Sequence, residues 1–286
     1  MVFEARSKAA GLNEYGVAAY KTPHGFAQRE VDFILSVGGI EMRPGQALGR
    51  DVKLQELRRD CDAVFLGVGL AGTKALGVPG EALAGVEDAV AYIERLRQTL
   101  NFATLPIGRR VVVIGGGNTA IDIAVQAKRL GAEDVTIVYR RGPDAMSATA
   151  HEQEFAQTNG VHIKHWAQPL RLVGEAGRLI AAEFEYTRLD TSGRLVGSGE
   201  VFSLEADQVF KAIGQVLVSD PLRSSDRQVL QMQGAKIAVD SDRHTSLPGV
   251  WAGGDCTAGA DLTVQAVQDG KVAAHAIDRW LRAGAR

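Results

Sequence analysis

Gly115, Gly117 and Ala120 form the pattern G-x-G-x-x-A, and that spacing has a definite chemical use. The first glycine permits a tight turn. The second lets the backbone approach a pyrophosphate, and the small third residue lets the next helix pack closely on the preceding strand. A helix starting there offers unpaired N–H groups and roughly half a positive charge to phosphate oxygens. Alone the pattern is weak, because any glycine turn before a helix can mimic it. Its context is stronger. Val111 to Ile114 is a continuous apolar run, as a strand buried on both faces of a parallel sheet requires. Ala120, Ile123, Ala124 and Ala127 mark one helix face, and Val135 to Tyr139 is a second apolar run. Strand, glycine loop, helix and strand together predict a nucleotide site. Asn118 and Thr119 then meet phosphate at the helix start, or simply cap it.

The second strand ends about 20 residues beyond the loop, where such units usually place an acid for the ribose 2′-OH. The residues there are Tyr139, Arg140 and Arg141. Two guanidiniums suit a 2′-phosphate instead. One charge-assisted hydrogen bond is worth about 1.5–3 kcal/mol, a preference of roughly tenfold or more. The sequence therefore favours NADP over NAD, with two solvated arginines at a strand end as the plain alternative. Asp144 to Ser147 borders the same place.

The elements that position these residues follow from the rest of the pattern. Apolar residues at helical spacing predict a helix between His24 and Val37, ended by Gly38-Gly39, and short helical pieces around Leu54–Leu57 and Val90–Leu100. DAVFLGVG, Asp62 to Gly69, reads as a buried strand and a glycine turn. From Leu170 to Phe202 the pattern alternates, with turns at Glu175–Gly177 and Thr191–Gly193, which predicts an antiparallel meander. Asp207 to Ile213, Lys236 to Val239 and Val250 to Ala252 read as late strands, and Thr263 to Leu281 as a long closing helix.

Composition narrows the class. The chain has 286 residues, enough for one large or two ordinary domains, and 33 glycines, which suits many strand-to-helix turns. A net charge of −2 gives no electrostatic case for nucleic acid or an anionic membrane surface. No apolar run approaches the roughly 20 residues of a membrane span. Cys61 and Cys256 form no CxxC, so a four-cysteine cluster or a dithiol of that kind is not expected, and the six histidines lack metal-ligand spacing. The expected location is the reducing cytoplasm, and no metal site is expected.

The segment LPGVWAGGDCTAGADLTVQAVQDGKVAAHAI places a strand before Gly253-Gly254-Asp255 and a helix from Thr263. With GLNEYGVAAYK, GVPGEALAGVEDAVAYI, VVVIGGGNTAIDIA, VYRRG and AIGQ, it resembles flavoprotein oxidoreductases with two dinucleotide sites. The family is that of the glutamate synthase small subunit and the NAD(P)H-oxidising part of dihydropyrimidine dehydrogenase. The Arg-Arg-Gly also resembles adrenodoxin reductase. The resemblance implies FAD as a second cofactor, contacted by Asp255 and Gly254, with the helix at Thr263 aimed at the flavin. Glu4 becomes the FAD-ribose acid and Leu12 part of the loop after it. Gly69 becomes the turn closing that half, and Gly214, in the AIGQ motif, is a cofactor-binding candidate.

The expected fold is therefore α/β: two Rossmann-like dinucleotide-binding lobes, each built on a parallel sheet in three layers, with the meander in the NADP lobe. Residues 1–100 and 216–286 are expected to form the FAD lobe, and 101–215 the NADP lobe. The first strand and glycine loop of the FAD half are not seen before Glu4, so that lobe is expected to be incomplete. The implied activity is hydride transfer from NAD(P)H to FAD, with electrons passing to iron–sulfur clusters and a catalytic partner subunit or domain. No side chain is named as catalytic. The alternative is a non-enzymatic NADP(H)-binding module without flavin. A stand-alone carbonyl reductase would need its own acid–base pair, and no Tyr-x-x-x-Lys is present.

Overall fold

The computed structural model describes residues 1–219, 222 and 230–284. The chain forms two compact units. One comprises the described residues of Met1–Gly11, Gln28–Gly72 and Gln215–Arg286; the other comprises Leu12–Ala27 and Thr73–Gly214.

The second unit is built on five parallel strands in the order Val86–Asp88, Gln208–Lys211, Arg110–Ile114, Asp134–Tyr139 and His162–His165. Successive side chains of a strand face opposite sides, so parity decides what each covers. Val111, Val113, Val135, Ile137 and Phe210 pack with Tyr92 and Ile93 of the helix Ala89–Gln98 and Ile121 and Ala124 of the helix Asn118–Arg129. Val112, Ile114, Val138 and Val209 face the other way, against Leu172, Ala182 and Phe184. Those three belong to an antiparallel meander of Ala167–Glu175, Arg178–Leu189 and Leu195–Glu205. The layers are thus helices, parallel sheet and meander, and the continuous apolar run at Val111–Ile114 is explained by burial on both faces.

The first unit holds two short parallel pairs. Val2–Glu4 pairs with Met42–Pro44, and Val64–Leu66 with Val250–Ala252, Phe65 opposite Trp251. Trp251 packs on Ala273 and Ala276 of the closing helix, Thr263–Arg282. Val64, Leu66, Val250 and Ala252 pack with Leu54, Ile237 and Cys256. Among the described residues, no helix is long and apolar enough to cross a membrane.

The compact units differ from the expected division at residue 100. Thr73–Leu100 lies with the glycine-loop unit, because Val86–Asp88 is the edge strand of its sheet and Tyr92 and Ile93 fill its core. Leu12–Ala27 lies there too: Ala19 and Tyr20 pack against its core, and polar contacts fix the segment. Arg97 donates to the carbonyls of Asn13 (3.0 Å) and Glu14 (2.8 Å) and to the Thr22 hydroxyl (2.5 Å). Asp122, on the glycine-loop helix, accepts from Ala18 N at 3.2 Å and from the Tyr20 hydroxyl at 3.3 Å, and its carboxylate lies 2.6 Å from Lys21 Nζ. Glu152 adds a second contact to Lys21 at 3.1 Å.

Asp122 is a buried carboxylate, and such a charge persists only with hydrogen bonds and a cation. Burial pushes its carboxyl up, and Lys21 pulls against that. Lys21→Met should therefore cost about 3 kcal/mol of unfolding free energy at pH 7, since it strands the carboxylate. A carboxyl whose folded pKa is raised takes up its proton in the native state first, so its penalty is relieved as pH falls through that value. The deficit should shrink between pH 7 and pH 5 in urea unfolding, and a deficit that grew on acidification would show that Asp122 is not the stranded charge.

Candidate functional site

The five-stranded sheet reverses direction beside the glycine loop. From Arg110–Ile114 the chain proceeds outward to Asp134–Tyr139 and then His162–His165, whereas Gln208–Lys211 lies on the other side. Open α/β sheets hold ligands in the crevice beyond the carboxyl ends of the strands at such a reversal. Gly115 leaves its strand at this point with φ 149°, and a Cβ there would overlap the Ala212 carbonyl. A Cβ at Gly116 would overlap the Tyr139 ring. Gly117 is different. It has an ordinary φ of −101°, serves as the helix N-cap, and a Cβ would meet only Ser147 Oγ, at 3.1 Å.

The first two glycines are thus required by the protein's own packing, and the third keeps an approach open. Asn118 is exposed and Thr119 half-buried, whereas Ala120 is buried against the sheet. The first helical hydrogen bonds run from Ala120 N and Ile121 N to Gly117 O. Among the described residues, the N–H groups of Gly117, Asn118 and Thr119 have no protein acceptor, which is the donor set a pyrophosphate needs. The fit to a dinucleotide rests on this open donor set and on the lack of a side chain at Gly117.

Arg140 and Arg141 are both exposed at the end of the next strand in the sheet. The turn after them folds back over the loop: the Tyr139 hydroxyl donates to Ala145 O at 2.6 Å, and Ala148 N to Gly116 O at 3.1 Å. That places Ser147 beside Gly117 and gives the bordering stretch a structural reason. Gly214, with φ 100°, follows the strand across the reversal, and its carbonyl accepts from Lys74 N at 3.2 Å. Gly115, Gly117, Asn118, Thr119, Arg140, Arg141 and Gly214 therefore share one unit.

Leu12 lies in that unit as well, in the short helix Gly11–Tyr15 that Arg97 holds. It is therefore not in the compact unit of Glu4, with which the sequence had grouped it. Glu4, Gly69, Gly254, Asp255 and Thr263 all lie in the first unit. Glu4 is half-buried at the end of Val2–Glu4, and one carboxylate oxygen accepts from Arg6 N at 2.9 Å. Gly69 forms a left-handed turn at φ 62° after Val64–Leu66, and Thr263 opens the closing helix. Asp255 is half-buried and, among the described residues, its carboxylate makes no hydrogen bond. Burial and the nearby Asp261 charge push its carboxyl up, against Lys236. An acceptor without a protein donor fits a hydroxyl-rich ligand such as the ribityl chain of FAD.

Sequence reasoning missed what holds that turn. Asp269 of the closing helix, 1% exposed, accepts from Gly254 N (2.9 Å) and Gln265 Nε2 (2.7 Å) and pairs with Arg243 (2.6 Å). The signal was present as an acid in VQDG, but nothing local indicates that it reaches back to Gly254. Cys256 is buried, and burial pushes its thiol up, so it is placed as an inert group.

The geometry separates the two glycine roles. Gly115→Ala should destabilise the fold by about 2 kcal/mol, through its backbone angle and the Ala212 overlap. Gly117→Ala should leave the melting temperature nearly unchanged and weaken NADPH binding by roughly tenfold or more. Paired melting curves and nucleotide titrations check both. Equal binding by wild type and Gly117→Ala would place the pyrophosphate elsewhere.

Comparison with known proteins agrees with this architecture. The family described as pyridine nucleotide-disulphide oxidoreductase matches residues 7–270. The chain is 36% identical, over 99% of its length and 40% of the relative's, to the NADP(+)-dependent formate dehydrogenase subunit beta of Moorella thermoacetica. It is 33% identical to the glutamate synthase [NADPH] small chain of Escherichia coli K12, over 98% of this chain and 63% of that one. The chain thus spans about two fifths to just under two thirds of these curated relatives. Among solved structures, Mycobacterium tuberculosis FprA in complex with NADPH superposes with a TM-score of 0.79 at 20% identity, covering 98% of this chain and 77% of that one. Thioredoxin reductase of T. acidophilum gives 0.72 at 22% identity, covering 96% and 88%. The open glycine loop at the sheet reversal and the matched extent together place the chain in the pyridine nucleotide-disulphide oxidoreductase family.

Proposed function

We propose that this chain is the nicotinamide and flavin portion of an electron-transfer oxidoreductase, one that passes a hydride from NADPH to FAD. Electrons then leave to iron–sulfur clusters in a partner subunit or domain. The observation that carries the reading is the open N-terminus at Gly117–Thr119 with two exposed arginines at the end of the adjacent strand. The names of the relatives, which specify NADP(+) or NADPH and a subunit or small chain, support the cofactor and the existence of a partner. Two free cysteines suit the reducing cytoplasm.

When bound, the nicotinamide and the flavin supply the hydride and one-electron chemistry themselves. The protein's part is position and charge. Backbone N–H groups at the helix start would hold the pyrophosphate. Arg140 and Arg141 would take the 2′-phosphate, and Glu4 and Asp255 would accept from FAD hydroxyl groups. Asp269 fixes the turn that carries Asp255, through Gly254 N. Hydride transfer between two cofactors needs no side-chain nucleophile, which agrees with the inert placement of Cys256.

Arg140→Ala/Arg141→Ala should weaken NADPH binding by about 10- to 100-fold and change NADH by no more than about twofold, since only NADPH carries the 2′-phosphate. Fluorescence titration of both nucleotides reads this directly, and equal losses would remove the arginines from the site. With FAD supplied, NADPH should bleach the yellow flavin absorbance anaerobically. A chain that binds NADPH tightly and never reduces flavin would instead be the nucleotide-binding module.

A further inference from the structure

The arginine pair sits on a turn, and a turn at a strand end has free carbonyls that leave its backbone poorly fixed. Here both arginine carbonyls are bonded, one by Thr187 of the meander and one by Trp166, the residue just before the meander's first strand. Thr187 Oγ1 donates to Arg140 O at 2.7 Å. Trp166 N donates to Arg141 O at 3.2 Å, and Trp166 O accepts from Thr187 N at 2.8 Å. The three hydrogen bonds close a circuit through two adjacent backbone segments. Thr187 is 6% exposed, so its hydroxyl is shielded from water.

Trp166 also carries a mark of constraint. Its φ is 59°, the left-handed region that a bulky aromatic residue rarely adopts. That backbone places the indole under Gly142, where a Cβ would stand 2.8 Å from the ring. Gly142 is buried and directly follows Arg141. The turn Arg140–Arg141–Gly142 is therefore gripped at three consecutive residues by Thr187 and Trp166. Neither side chain has a part in the glycine loop.

We infer that Thr187 and Trp166 are positioning residues for recognition of the nucleotide 2′-phosphate: they fix the backbone from which Arg140 and Arg141 project and so set the preference for NADPH over NADH. This rests on the reading that those arginines hold the 2′-phosphate. A guanidinium on a fixed base loses less conformational freedom on binding, which raises affinity for the one ligand it contacts. NADH gains nothing from the grip, because it presents no phosphate there.

The test compares Thr187→Val, Thr187→Ser and the Arg140→Ala/Arg141→Ala pair by fluorescence titration with NADPH and NADH. Thr187→Val keeps the shape and removes the donor. It should weaken NADPH by about 3- to 10-fold and leave NADH within about twofold, while Thr187→Ser retains the wild-type ratio. Should the valine variant fail to fold, Thr187→Ala deletes the hydroxyl without new bulk and takes its place. An unchanged ratio, or equal losses for both nucleotides, in the variants lacking the hydroxyl would overturn the inference. If the double arginine variant loses discrimination and these variants do not, the inference alone fails. If the double variant keeps discrimination, the assignment of the 2′-phosphate fails and takes the inference with it.

Discussion

Everything in the glycine-loop unit depends on one close approach. The chain leaving Arg110–Ile114 must pass under the Ala212 carbonyl and against the Tyr139 ring before starting a helix. No side chain can occupy Gly115 or Gly116. The strands on either side of Arg110–Ile114 therefore decide where the helix begins, and with it where the unpaired N–H groups point. Gly117 is freed from this packing and, with the N–H groups of Asn118 and Thr119, leaves backbone open to a ligand. The sheet reversal supplies the crevice, and the turn closed by Tyr139 and Ala148 supplies its wall.

The same helix is tied on its outer side by a buried charge. Asp122 gathers Ala18, Tyr20 and Lys21 onto the glycine-loop helix, while Arg97 holds Asn13, Glu14 and Thr22. A buried ion pair contributes little net stability, but removing one partner is costly because it strands the other charge. Here the pair lies where Leu12–Ala27, with Ala18 buried and Tyr20 packed on the core, meets the glycine-loop helix. In the other unit Asp269 acts alike, using one buried carboxylate to hold Gly254 and Arg243.

Strongly periodic elements could be read from the sequence. Arg110–Ile114, Asn118–Arg129, the meander and the closing helix lie where apolar pattern and turn residues placed them. Val250–Ala252 pairs with Val64–Leu66 although 184 positions separate Leu66 and Val250, as the pairing of late and early segments required. Weakly patterned pieces could not be read. His162–His165 is an edge strand of sequence HIKH, with little apolar content for a period to act on. Leu12–Ala27 is glycine-punctuated, and its partners, polar and apolar, lie about a hundred residues away. The residues proposed to touch cofactor were visible because their chemistry is local. Those that hold them still, Thr187, Trp166 and Asp269, were hidden because each acts on backbone far from it in sequence.

The central claim is that the glycine loop and the arginine pair form one NADP(H) site at the sheet reversal. A crystal structure of the chain with NADPH bound tests it most directly. The account predicts pyrophosphate oxygens on the N–H groups of Gly117–Thr119 and the 2′-phosphate within hydrogen-bond distance of Arg140 or Arg141. A pyrophosphate seated elsewhere, or a 2′-phosphate turned away from both arginines, would contradict it.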